Sequence, residues 1–135
     1  MPLMTWTNEL SVSIIHVYSQ HMKLVQLLNS LHDAMKCGKG KEVIVQTLSA
    51  LVDYTTYHFS TEEALFAAHG YPDSLKHKKE HASLTKTALD LKERSSEGAQ
   101  FLTSETMLFL KDWLNSHILG PDKKYGPFLN AKGVH

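Results

Sequence analysis

At 135 residues, 42% of them hydrophobic, the chain is long enough for one domain around one core and too short for two. Its 14 basic and 14 acidic side chains cancel, which argues against nucleic acid or another polyanionic partner and for a small neutral ligand. Cys37 stands alone, so a disulfide framework and a thiolate metal cage are both excluded within the chain, and any metal would be held by nitrogen and oxygen.

The pattern of apolar residues predicts an all-α protein. Residues 1–10 read as an N-terminal arm carrying Trp6. From Ser11 to Met35 apolar residues recur at spacings of three and four, with Ile14, Val25 and Leu28 on one stripe and Leu24, Leu27 and Leu31 widening it, which predicts a first helix. Gly38, Lys39 and Gly40 interrupt it. A second helix starts near Lys41, carries Ile44, Leu48, Leu51, Thr55, His58, Glu62 and Leu65 inward, and ends at Gly70 before Pro72. A third, capped by Asp73 or Ser74, runs through His77, His81, Leu84, Ala88 and Leu91 to the polar stretch from Arg94 to Gly98. A fourth spans roughly Leu102 to Leu119, with Gly120 and Pro121 as its stop, and residues 123–135 form a short C-terminal tail.

Short turns make sequential helices neighbours, so the expected fold is a single-domain antiparallel up-down-up-down four-helix bundle over residues 11–122. No apolar run approaches 18 residues and no basic, hydrophobic leader opens the chain, which predicts a cytoplasmic protein without membrane insertion.

Nine histidines in so short a chain are the compositional oddity, and their positions carry the chemistry. His58 and Glu62 are four apart, as are His77 and His81, so at about 100° per residue each pair shares a helix face one turn apart. Each pair also continues an apolar stripe, which points it into the core. His21 is in register with Ile14, Val25 and Leu28, and His117 with Leu110 and Leu114, so every helix contributes. Asp122 lies five residues after His117, about 140° round an ideal helix and off the inward face. Gly120 and Pro121 are expected to unwind that turn and let the carboxylate fold back over the bundle end. Buried carboxylates and imidazoles without partners cost several kcal/mol, about 1–3 for each imidazole, so the cluster calls for a cation. Five imidazoles and two carboxylates exceed the four ligands of a structural zinc and suit two iron ions sharing bridges, whereas magnesium and calcium want oxygen.

These motifs, His21 after Gln20, His58 and Glu62 as HxxxE, His77 and His81 as HxxxH, and His117 and Asp122 as HxxxxD, resemble the hemerythrin family, specifically its single-domain bacteriohemerythrins. The likeness covers nearly the whole chain and includes Trp6, Phe59, Glu63, Trp113 and the run Lys124, Tyr125, Gly126, Pro127. It implies that His77, His81 and His117 hold one iron, His21 and His58 the other, and that Glu62, Asp122 and an oxo or hydroxo group bridge them. It further implies reversible dioxygen binding at the open position of the second iron. Phe59, Trp113, Leu114, Ile118, Leu24 and Val25 are expected to wall that position. The sequence departs from the family pattern at Tyr18, where an Asp three residues before the first histidine is usual.

Taken singly, each of these histidines could be an ordinary hydrogen-bonded core residue. Seven such groups converging by chance would leave many buried polar atoms unpaired, which favours the joint metal reading. His16, His32, His69 and His135 lack that support and read as structural or exposed. The Lys76, Lys78, Lys79 cluster reads as a solvated helix face. The expected role is oxygen transport, storage or delivery, with dioxygen as ligand, an oxygen-consuming enzyme as recipient, a monomeric state and no enzymatic activity. The alternatives are oxygen or nitric oxide sensing or scavenging, and di-iron oxidase or peroxidase activity.

Overall fold

Helices account for nearly all of the regular structure in the computed structural model, which describes residues 3–38, 41–94 and 104–135. Helix α1 covers Ile15–Lys36, α2 Lys41–His69, α3 Ser74–Arg94 and α4 Ser104–His117, and among the described residues there is no strand. The four pack as the antiparallel bundle that the apolar stripes predict, each burying its stripe in a shared interior. Lys39, Gly40, the stretch from Ser95 to Gly98 and the expected helix start at Leu102 lie outside the described residues. Gly38 takes a positive φ of 65° after the end of α1, the left-handed conformation that closes a helix and that glycine adopts without a Cβ penalty.

Two expectations are overturned at the C-terminal end. Gly120 and Pro121 do not stop the fourth helix. The chain passes through a π-helical turn, Ile118–Asp122, directly into a fifth helix, α5, spanning Lys123–Ala131. Pro121 has no N–H to offer the carbonyl four residues back, which is that of His117, so the α-helical ladder is already broken there and a wider turn is the local remedy. The segment expected to trail as a tail is therefore ordered, and Tyr125, Gly126 and Leu129 are buried.

The arm folds back on the bundle. Met4 N–H donates to Asn29 Oδ1 at 2.9 Å, while Asn29 Nδ2 donates to Met4 O at 2.8 Å, so one side chain satisfies both backbone groups. Trp6 packs on the main core and meets Tyr18 edge-on at 5.0 Å between centroids. Tyr18, the departure from the family pattern, thus anchors the arm. Helix α5 lies against the segment that follows the arm, where a Cβ on Gly126 would come within 2.7 Å of Val12 O, closer than side-chain carbons approach. Asn130 Nδ2 donates to Ser13 O at 3.1 Å in the same seam.

The interior divides into two hydrophobic clusters. The larger includes Leu24, Leu28, Leu48, Leu51, Leu91 and Leu114; the smaller joins Val12, Ile14, Val17, Phe66, Tyr71, Tyr125 and Leu129. A layer of polar side chains lies between them.

Candidate metal centre

That layer consists of His21, His58, Glu62, His77, His81, His117 and Asp122, all buried, with Glu62 and Asp122 at 0% exposure. The structure brings together all seven residues singled out from the sequence. Their ligand atoms form two overlapping groups, each within 4.8 Å: Glu62, His77, His81, His117 and Asp122 in one, and His21, His58, Glu62 and Asp122 in the other. The two carboxylates belong to both.

The π turn explains how Asp122 reaches the centre. In an α-helix, residues five apart diverge by about 140°, but a turn closed from i to i+5 brings such residues onto one face. His117 Nε2 accordingly lies 3.2 Å from Asp122 Oδ1. The carboxylate divides its oxygens: Oδ1 also lies 3.0 Å from His77 Nε2, while Oδ2 lies 3.0 Å from His21 Nε2. Glu62 Oε1 lies 3.0 Å from His81 Nε2 and 3.4 Å from His58 Nε2, and its Oε2 accepts a hydrogen bond from the buried Tyr125 hydroxyl.

Short as these nitrogen–oxygen separations are, none has the geometry of a hydrogen bond. The Nε2 atoms of all five rings, Glu62 Oε1 and both oxygens of Asp122 are buried without a hydrogen-bonding partner. Orphaned buried acceptors and ring nitrogens in such number are rare and expensive, about 1–3 kcal/mol each. Nitrogen lone pairs and carboxylate oxygens aimed at a common centre are what a pair of transition-metal ions needs. The donor set fits such ions, and the orphaned atoms are accounted for if cations take the lone pairs.

Without cations the charges must be balanced by protons. Burial opposes the charged ring of His77, but Asp122 and Glu62 beside it outweigh that and raise its pKa to about 9. His117 is raised for the same reasons, with burial opposed by Asp122. Burial dominates at His58 and lowers it to about 4. Burial and the second carboxylate push Glu62 up, yet the surrounding imidazoles prevail and hold it below the ordinary range. Asp122 is held well below it as well, burial being outweighed by His117, His21 and His77.

Outside the ligand atoms, the Nδ1 edges of several rings are occupied. His58 Nδ1 lies 2.6 Å from Gln20 Oε1, His81 Nδ1 lies 3.0 Å from Glu63 Oε2, and His117 Nδ1 lies 3.7 Å from Glu80 Oε2. Phe59 stacks on the His81 ring at 3.8 Å, and Trp113 stacks on His117 at 5.6 Å. Sequence reasoning missed Glu80 altogether and saw Gln20, Glu63 and Tyr125 only as parts of a family likeness. Tyr125 follows Asp122 by three residues, a helical spacing that would have pointed inward had α5 been recognised.

An apolar cavity of about 50 Å³ adjoins the polar layer, with Leu24, Thr55, Leu84 and Leu114 in its wall. These follow His21 by three, precede His58 by three, follow His81 by three and precede His117 by three, so the cavity lies one turn from the cluster on all four helices. The alternating sign is the mark of antiparallel packing. Thr55 gives its hydroxyl to Leu51 O at 2.7 Å and so adds no free polar group. Of the expected pocket residues, Leu24, Trp113 and Leu114 line this cavity; Phe59, Val25 and Ile118 do not, and are buried beside it.

The family profile described as the hemerythrin HHE cation binding domain matches residues 13–129. A bacteriohemerythrin of Methylococcus capsulatus is 38% identical over 97% of this chain and 100% of its own length. A bacteriohemerythrin of Pseudomonas aeruginosa is 34% identical over 93% of this chain and 80% of its own, and a hemerythrin-like protein of Naegleria gruberi is 34% identical over 89% and 88%. The crystal structure of wild-type hemerythrin superimposes with a TM-score of 0.87 at 36% identity, covering 93% of this chain and 96% of that one.

Proposed function

The chain belongs to the hemerythrin family, and from that premise we propose that it binds dioxygen reversibly at a non-haem di-iron centre held by the seven buried residues. The single observation that carries this reading is the convergence of five orphaned ring nitrogens and three orphaned carboxylate oxygens in a sealed core. Iron held there would supply the two electrons that reversible binding of dioxygen requires.

The residues divide the work. His77, His81 and His117 would give three nitrogens to one ion, Asp122 faces that side with Oδ1 and the other with Oδ2, and Glu62 lies within reach of both groups. His21 and His58 would give one nitrogen fewer, so the donor set on their side is short by one and would leave room for a ligand. Five neutral imidazoles against two carboxylates keep the centre poor in anionic donors, which disfavours the high-valent iron of oxygen-activating bundles built from Glu and Glu-x-x-His motifs. The apolar cavity one turn away disfavours water and has room for a diatomic molecule, and Trp113, in its wall, stacks on His117. The proposed role is oxygen transport, storage or delivery, by a cytoplasmic monomer that hands its ligand to an oxygen-consuming enzyme.

Oxygen consumption measured with excess reductant tests the carrier reading. Uptake that stops at one dioxygen per pair of irons supports it. Continuous turnover of the reductant overturns it in favour of an oxidase or peroxidase.

A further inference from the structure

The outer partners of the ligand rings are not distributed evenly. On the His77, His81 and His117 side, His81 Nδ1 lies within hydrogen-bond distance of the Glu63 carboxylate, at 3.0 Å from Oε2, while the Glu80 carboxylate stands beyond hydrogen-bond reach of His117 Nδ1 at 3.7 Å. On the other side, His58 faces the neutral amide oxygen of Gln20 at 2.6 Å, and His21 Nδ1 is buried with no partner. Gln20 is itself fixed, its Nε2 donating to Thr61 Oγ1 at 3.2 Å, so the oxygen rather than the nitrogen of the amide is presented to the ring. A third observation runs the same way. Tyr125 donates to Glu62 Oε2, which lies 3.9 Å from His21 Nε2, whereas Oε1, without a hydrogen bond, lies closer to His81 Nε2 at 3.0 Å than to His58 Nε2 at 3.4 Å.

A carboxylate accepting the Nδ1–H of a ring draws the proton outward and makes Nε2 a stronger donor to a metal; an amide does so less, and an absent partner not at all. A hydroxyl donating to a carboxylate oxygen withdraws electron density and makes that oxygen a weaker donor. We infer that Glu63, Gln20 and Tyr125 are positioning residues that make the two subsites unequal, so that the subsite of His77, His81 and His117 binds its cation first and more tightly. The inference rests on the two-ion reading above and adds to it an order that the ligand count alone does not assign to particular outer residues.

Cobalt(II) titrated into the metal-free protein and followed by calorimetry separates the two claims. The wild type should take up two Co²⁺ in two resolved steps. Glu63→Gln keeps an acceptor but removes its charge, and should weaken the tighter step by about 10-fold or more while moving the weaker step by less than about threefold. Gln20→Glu should act oppositely and tighten the weaker step. Two equal steps in the wild type, or weakening of both steps alike by Glu63→Gln, would overturn the inequality while leaving two-ion binding intact. Uptake of fewer than two Co²⁺ by the wild type would overturn both claims together. Circular dichroism of each metal-free variant confirms its fold, and Gln20→Glu, a gain rather than a loss, cannot be mimicked by misfolding.

Discussion

Replacing Tyr125 by Phe removes one oxygen from the core and changes little else. The ring is fully buried, stands edge-on to Phe66 at 5.2 Å, and fills the smaller hydrophobic cluster, so phenylalanine occupies the same volume. Only the hydrogen bond to Glu62 Oε2 is lost. A hydrogen bond to a charged group contributes about 1.5–3 kcal/mol, and here the carboxylate left behind has no water to turn to. With an unfolding entropy of roughly 2.1 cal/mol/K per residue, 135 residues give about 0.28 kcal/mol/K, so the loss corresponds to a fall in Tm of about 5–11 °C. Thermal denaturation of the metal-free protein, followed by far-ultraviolet circular dichroism, measures it at constant pH and salt. A Tm within about 1 °C of wild type would refute the reasoning, because at that size the bond would be exchanging with solvent rather than holding a buried carboxylate.

Gly126→Ala places a Cβ 2.7 Å from Val12 O, and since the obstacle is backbone it should destabilise the fold by about 1–3 kcal/mol, read by urea denaturation. His77→Ala or His117→Ala should abolish binding of a second ion, visible in metal analysis, because each removes one of three nitrogens from one subsite. His77 titrates at about 9 in the metal-free protein, above the ordinary 6.5, so its contribution to that fold is complete below about 6.5 and is lost as pH rises through about 9. Melting of metal-free protein should therefore fall across that window. Cation binding at neutral pH must also displace the His77 proton, so calorimetry in buffers of different ionisation enthalpy should show proton release.

How much of this was legible in the sequence depended on whether the geometry was local. The pairs His58 and Glu62, and His77 and His81, declare a shared face through helical periodicity alone, and both lie where that periodicity put them. His21 and His117 were readable from the register of their apolar neighbours. Asp122 was readable only as an anomaly: a ligand off the helical face beside a glycine and a proline. The sequence suggested that the helix ended there; in the structure it widens, because a proline lacking its N–H can be accommodated by a longer turn as well as by a stop. Helix α5 was hidden for a related reason, since the adjacent Gly126 and Pro127 interrupt the residue pattern that marks a helix. Pro127 sits within the helix, and Gly126 is needed for close approach to Val12 rather than for a turn. The outer partners Glu63 and Glu80 meet rings on other helices, a relation that no periodicity within one helix encodes.

The central claim is tested most directly by loading the protein with iron without air, counting the metal, and recording the optical spectrum as oxygen is added and then removed. Two irons per chain, with a visible absorption that appears with oxygen and disappears on its removal through repeated cycles, is the predicted result. One iron or none, or a single irreversible change to a spectrum that oxygen removal does not reverse, would contradict it.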